Sequence, residues 1–231
     1  TEENTLSLHD ALPILLLGLV RSDLLARWRE AIPENAPNQF VVNIQQDQLD
    51  DVRALLAERQ LPDATLFPMV RGRLVAVNGQ AVSGEDYAER GERARRLADR
   101  EFNLSAATRF GDDNVATDGR LWTAADADQA QWSVEEGFAR SLGWRIGDIV
   151  AFDIGGQRIE APITSLRKVD WESFRPNFFV LGTPATIAKL PASYITSLHV
   201  PETKRSVVTA LVERFPNLSV IDIGAVLAQV K

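Results

Sequence analysis

Residues 39–70 read QFVVNIQQDQLDDVRALLAERQLPDATLFPMV, and this stretch sets the order of secondary structure from which the fold is predicted. Its first six residues alternate, which places Phe40, Val42 and Ile44 on one face of a predicted β-strand. Apolar residues then recur at helical spacing, at Leu49, Val52, Leu55 and Leu56. The helix ends before Pro62, and the apolar run at 65–70 predicts a second strand. The stretch therefore predicts a β-α-β unit.

The same order returns near the C-terminus. YITSLHV (194–200) predicts a strand, and LSVIDI (218–223) predicts another after the Pro216 break. Between them a helix is predicted with an inward face made of Val207, Val208, Leu211, Val212 and Phe215. Two such halves can pair into one four-stranded sheet with both helices on one face, which is the split βαβ or ferredoxin-like arrangement.

The separation of the halves predicts an α+β fold with two subdomains. Residues 38–75 and 191–224 form the split βαβ subdomain, and residues 76–190 form an inserted, mainly β subdomain. Asn78–Gly79 is a strong hairpin signal within the insertion, and Gly155–Gly156 joins two further predicted strands. A short apolar strand is expected at 177–181.

One short helix is also predicted in the insertion. SVEE (133–136) has the pattern of a capping box, and Gly143 is a suitable residue just past the end of the helix. A second helical segment, residues 85–101, alternates arginines with acidic residues. This alternation is typical of a solvated helix and argues against a nucleic-acid surface.

Composition excludes several classes of protein. The chain has 231 residues, no cysteine and two histidines, which excludes a disulfide scaffold, thiolate metal sites and a cysteine nucleophile. Its 32 acidic and 25 basic residues give a net charge of −7, which disfavours binding to nucleic acid. We therefore expect an acidic, globular protein with few groups suited to chemistry.

The sequence carries no motif with catalytic specificity, which favours a protein that is not an enzyme and has no cofactor. No nucleophile elbow, phosphate-binding loop or zinc-binding helix motif occurs in the sequence. His199 and Ser197 are two apart on a predicted strand, so their side chains point in parallel and make a poor catalytic pair. The acidic pairs at 112–113 and 135–136 are explained by a turn and by helix capping.

The stretch SLRKVDWESFRPNFF (165–179) is the candidate functional segment, and two interpretations of it stay open. It can be a strand end followed by an ion-paired turn and a buried tryptophan. It can also be a surface that contacts another protein or chain segment, because Trp, Phe and Arg are favoured at interfaces. The candidate contact residues are Arg167, Lys168, Asp170, Trp171, Phe174 and Arg175.

The N-terminal residues divide into two parts. NTLSLHDALPI (4–14) resembles the translation of a sequencing adapter, so residues 1–14 are interpreted as a non-native tail, with a genuine flexible tail as the alternative. LLLGLV (15–20) is followed by Arg21, Arg27 and Trp28. This pattern fits either the last turns of a transmembrane helix or a buried amphipathic helix.

Several runs resemble a known family: SVEEGFARSLGWRIGD (133–148), RKVDWESFRPNFF (167–179) and FPNLSVIDIG (215–224). They resemble the extracytoplasmic domain of FtsX-like, MacB-type ABC transporter permeases, and among these the YbbP-type permeases. The resemblance extends from residue 15 to residue 231, and the run at 167–179 is its most specific part.

The resemblance implies a MacB-like periplasmic core attached to a bacterial inner membrane at both ends. Residues 15–37 would be the end of a membrane helix and its stalk, and residues 225–231 would begin the returning helix. A cytoplasmic ATP-binding subunit would drive motion that this domain transmits to a lipid, lipoprotein or protein partner. The alternative is a soluble two-domain regulatory or ligand-binding protein with a ferredoxin-like sheet.

Overall fold

The computed structural model describes residues 35–61, 64–223 and 225. The predicted tail at 1–14, nearly all of the predicted membrane helix and stalk at 15–37, and residues 226–231 of the predicted returning helix lie outside the described residues.

The described residues form eleven strands and five α-helices. The strands are β1 (Gln39–Ile44), β2 (Phe67–Val77), β3 (Gln80–Ala81), β4 (Glu101–Ala106), β5 (Asn114–Gly119), β6 (Trp132–Glu135), β7 (Ile149–Ile154), β8 (Gln157–Val169), β9 (Val180–Gly182), β10 (Ser193–Leu198) and β11 (Ser219–Asp222). The helices are α1 (Leu49–Glu58), α2 (Glu92–Asp99), α3 (Glu136–Leu142), α4 (Pro184–Ile187) and α5 (Ser206–Arg214). The chain is thus a mixed α and β structure built on a sheet, as its sequence predicts.

Four strands form an antiparallel sheet in the order β11-β1-β10-β2. Helix α1 connects β1 to β2 along the chain, and α5 connects β10 to β11. Both helices share one apolar core with the sheet, to which α1 contributes Val52 and Leu56 and α5 contributes Val207 and Leu211. The exposed fraction of Val212 is 43%, so its predicted place on the inward face of α5 is wrong.

Strand β2 continues beyond this sheet into a closed ring of six strands. The ring runs β2-β4-β9-β6-β8-β7 and returns to β2, with parallel pairing at β4–β9 and at β6–β8. Its core contains buried residues from all six strands: Val70, Leu104, Val180, Trp132, Ile163 and Phe152. The sequence predicts a mainly β insertion, but it does not predict that the strands close into a ring.

The start of helix α3 differs from its prediction. Ser133 lies fully buried in β6 and does not cap the helix. Glu135 is the N-cap instead, and its carboxylate accepts hydrogen bonds from the backbone N–H groups of Gly137 (3.0 Å) and Phe138 (2.7 Å). The helix still ends at Gly143, which has the expected left-handed conformation (φ 73°).

Candidate functional site

The candidate contact segment follows the end of strand β8 as a tight turn. Asp170 caps the 3₁₀ turn Trp171–Ser173, because its carboxylate accepts a hydrogen bond from the Glu172 N–H at 3.0 Å. The turn ends at Phe174, whose φ of 53° is left-handed and uncommon for a residue with a bulky side chain. The backbone therefore reverses sharply just before Arg175.

Asp113 ties this turn to the loop that precedes β5. The Asp170 N–H donates to the Asp113 carbonyl at 2.8 Å, and the Ser173 hydroxyl lies 3.3 Å from Asp113 Oδ2. The same Oδ2 accepts from Asn177 Nδ2 at 2.6 Å, and Asn114 Nδ2 reaches Asn177 Oδ1 at 3.0 Å. These bonds link segments about sixty residues apart, so the turn has a defined position.

Trp171 is the exposed aromatic residue of the segment. Its exposed fraction is 48%, and its ring packs against Phe179 with centroids 5.1 Å apart. Val115 on the edge strand β5 is 62% exposed, and both residues line one shallow depression with Lys168. A supported aromatic ring beside exposed apolar and charged groups has the composition of a small contact surface.

The structure groups most of the candidate contact residues but not all of them. Lys168, Asp170, Trp171 and Arg175 are exposed, and Phe174 is half-buried. Arg167 lies instead in the interior with an exposed fraction of 0%. Successive residues of a strand point to opposite faces, so Arg167 and Lys168 cannot share one surface of β8.

The guanidinium of Arg167 is incompletely paired. Its Nη2 donates to the Phe178 carbonyl, whereas Nε and Nη1 have no hydrogen-bond partner among the described residues. Burial lowers the pKa of Arg167 to about 10, and the charges of Glu135 and Asp113 oppose that shift. Arg167 is therefore a cation held inside the protein with two unsatisfied donor atoms.

A cavity of about 740 Å³ lies beside this arginine. Its wall includes Arg167, Arg175, Asp113 and Asn177, together with apolar side chains such as Phe178. The sequence indicated Asp113 only as part of a turn, and nothing in the sequence singled out Asn177. His199, on the same wall, is half-buried.

Two negative findings apply to the described part of the chain. Its His, Asp and Glu side chains form no group of three placed to hold a metal ion. Among the same residues, no helix combines the length and apolar character needed to cross a membrane.

Comparison with known proteins shows what this chain is similar to. No protein-family model matches it. The chain is nevertheless a homologue of an ABC transporter permease. The relative is the uncharacterized ABC transporter permease YbbP of Escherichia coli (strain K12), which is 38% identical over 218 residues. The match covers 94% of this chain, which spans about a quarter (25%) of the relative's length. The predicted resemblance to YbbP-type permeases is confirmed.

Proposed function

We propose that this chain is a non-catalytic, periplasm-facing domain of a bacterial inner-membrane ABC transporter permease. The similarity to YbbP supports the permease class, and coverage of a quarter of that relative is consistent with one domain of a longer protein. In this proposal residues 15–37 and 225–231 are the segments that connect the domain to membrane helices.

The observation that carries the proposal is the pairing of the two ends of the described fold. Gln39, where β1 begins, is paired with Asp222, where β11 ends. Just beyond this pair, the Ile223 N–H donates to the Asn38 carbonyl at 2.9 Å. Because the two strands are antiparallel, β1 begins and β11 finishes at the same end of the sheet. Two membrane helices that lie close together can hold a domain with this arrangement.

The proposed role is mechanical coupling. A rigid domain fixed at two neighbouring points converts a small displacement of its supports into a rotation or hinge motion. A cytoplasmic ATP-binding subunit would move the membrane helices, and this domain would transmit the motion to a lipid, a lipoprotein or a protein partner. No nucleic acid is involved in this proposal.

The domain division proposed here has two subdomains. Residues 38–75 and 191–224 form a ferredoxin-like split βαβ subdomain, which the strand order β11-β1-β10-β2 and the shared core of α1 and α5 support. Residues 76–190 form the inserted, mainly β subdomain of a MacB-like periplasmic core. Strand β2 extends across the boundary between them.

A non-catalytic role is consistent with a hydrogen bond between two buried serine hydroxyl groups. The Ser165 hydroxyl lies 2.8 Å from the Ser133 hydroxyl in the interior, so these two serines bond to each other. The acidic candidates are used structurally as well, since Glu135 caps α3 and Asp113 holds the contact turn.

The location of the domain can be tested by cysteine labelling. The chain contains no cysteine, so a Glu172→Cys variant of the full-length permease, cleared of cysteines elsewhere, carries a single exposed thiol. A membrane-impermeant maleimide should label it in intact spheroplasts to the same extent as in lysed cells. Labelling that requires lysis would place the domain on the cytoplasmic side and overturn the proposal.

The contact surface is proposed to consist of Lys168, Asp170, Trp171, Phe174 and Arg175. Replacing Trp171 and Arg175 together with alanine in the full transporter should weaken partner assembly by about tenfold or more, as loss of interface anchors does. Val212→Ala, which truncates an exposed apolar residue on α5, is the matched control. Unchanged co-purification and an unchanged phenotype of the double variant would contradict this surface.

The cavity favours one alternative function, a soluble two-domain regulatory or ligand-binding protein with a ferredoxin-like sheet. Separating the membranes from the soluble fraction after lysis distinguishes the two, because a soluble protein would be recovered outside the membrane fraction.

A further inference from the structure

The cavity beside Arg167 has the size and lining of a small-molecule site. Its volume of about 740 Å³ lies within the roughly 300–1,000 Å³ that is usual for ligand pockets. Much of its wall is aromatic and aliphatic, with contributions from Phe67, Phe110, Phe178, Leu181 and Tyr194. A wall of this kind suits a ligand with an apolar body.

The charged residues of the wall favour an anionic ligand. Among the described lining residues, the arginines are Arg109, Arg167 and Arg175, and the acidic residue is Asp113. Asp113 accepts hydrogen bonds from Asn177 and Ser173, and the ion pairs found among the described residues do not join it to any of these arginines. A protein with a net charge of −7 thus places an excess of positive charge on the wall of one cavity.

Arg167 supplies the second, independent observation. It is fully buried, and the ion pairs found among the described residues do not include it. Unpaired donors on a buried cation are costly, so natural structures rarely retain them without a compensating group. A ligand anion that displaces the atoms covering Nε and Nη1 would supply the hydrogen bonds that these two donors lack.

We propose that this cavity binds an amphiphilic carboxylate, with the carboxylate at Arg167 and Arg175 and the apolar body against Phe67, Phe178 and Leu181. A monoanion matches the single buried guanidinium better than a phosphate dianion, which would require more donors. The proposal goes beyond the mechanical role and is independent of it, because binding is measured on the 231-residue chain without a membrane or partner.

The first test compares ligands by isothermal titration calorimetry. Dodecanoate below its critical micelle concentration should bind at one site. Dodecyltrimethylammonium has the same chain length and the opposite charge, and it should bind at least tenfold more weakly. Acetate and inorganic phosphate, which lack the apolar body, should also bind at least tenfold more weakly. If any of these three compounds bound as tightly as dodecanoate, the assignment would be wrong.

The second test changes the cavity itself. Arg167→Met should weaken dodecanoate binding at least tenfold, whereas Arg158→Met, which removes an exposed arginine paired with Glu160, should leave it unchanged. Ala107→Trp fills the cavity from its wall and should also abolish binding, with folding of each variant checked by thermal unfolding. If Arg167→Met fails to fold, Ala107→Trp and Arg175→Met decide the question. Wild-type affinity in a folded cavity variant would overturn the proposal.

Discussion

Asp126 organises the loop that follows strand β5. Its carboxylate accepts hydrogen bonds from Arg120 Nη2 (2.7 Å) and Nη1 (2.9 Å), and from the Thr123 N–H (2.8 Å). The Arg120 bonds, followed by the Thr123 backbone bond, hold the pKa of Asp126 well below its ordinary value of 3.8. One residue therefore fixes a loop that has little regular secondary structure.

Replacing Asp126 with asparagine should destabilise the protein in a pH-dependent way. Because the pKa is lower in the folded state, the contribution of the carboxylate is fully present above the unfolded value and is lost as the pH falls through the folded value. Urea unfolding of Asp126→Asn should therefore show a lower midpoint than wild type at pH 7. The difference in urea midpoint between wild type and variant should become smaller as the pH falls below 3.8.

Asp128→Asn provides the control for this experiment, because Asp128 is exposed and only two residues away. An equal loss of stability from Asp128→Asn, or a difference for Asp126→Asn that does not change with pH, would contradict the role given to Asp126.

Which individual residues reach the candidate site was only partly predictable from the sequence. The alternation of side chains along a strand could have placed Arg167 and Lys168 on opposite faces. This requires only that the predicted strand extend to Val169, as β8 does. The bonds of Asp113 to Ser173 and Asn177 could not be predicted, because they depend on a tertiary contact between distant segments. Trp171 lies in the segment that the sequence indicates, but its exposed fraction is a result of packing and could not be predicted.

At the scale of elements, strand β2 links the two parts of the sheet. On one edge it pairs with β10 at residues 67–69 and with β7 at residues 73–77. Its other edge pairs with β4 at residues 69–73. Gly72 lies where the first edge passes from β10 to β7, and a Cβ built there would lie 2.6 Å from Leu104 Cδ1. A side chain at this position has no room.

Gly72→Ala should therefore destabilise the fold by overpacking, by about 1–3 kcal/mol. Leu104→Ala should cost about 2–5 kcal/mol, because Leu104 is fully buried. The stability lost by the double variant should be smaller than the sum of the two single losses by at least about 0.5 kcal/mol. The reason is that the alanine at 72 enters the space left by Leu104. Chemical denaturation of all four proteins gives this coupling energy, and strict additivity would contradict the close approach of β2 and β4.

Local irregularities explain where the prediction of elements was wrong. The alternation in QFVVNI predicts Phe40, Val42 and Ile44 together on one face, but Ile44 is buried with Val41 instead. The register of β1 against β10 shifts between Val41 and Ile44, and Asn43 has a φ of 66°. A bulge of this kind moves side chains to the other face and leaves little trace in a hydrophobic pattern.

At the scale of the whole molecule, the two β-α-β halves were predictable but the closed ring was not. The halves carry local signals: helical stripes, prolines after helices, and alternating strands. Closure of the ring depends on β9 pairing with β4 and β6, and β9 is only three residues long. So short a strand has no periodicity of its own, and its neighbours are set by the packing of the entire ring.

The pairing of β1 with β11 allows a test of the proposed mechanical coupling. The bond from Ile223 to Asn38 makes Gln39 and Asp222 a non-hydrogen-bonded pair, for which a Cα separation of about 4.5 Å is usual. Cysteines at these two positions are close enough for a disulfide. On oxidation, Gln39→Cys with Asp222→Cys should form the bond in high yield and raise stability by about 4 kcal/mol, since the loop it closes is long.

For the proposed mechanical coupling, the same disulfide distinguishes a domain that moves as one rigid body from a sheet that opens. If the domain moves as one body, β1 and β11 stay paired, and the oxidised full-length permease should keep the activity of its reduced form. The single variant Gln39→Cys, treated with the same oxidant, controls for other effects of oxidation. Activity that is lost on oxidation of the double variant alone, and restored by reductant, would show that the two strands must separate. The proposed rigid-body coupling would then be wrong.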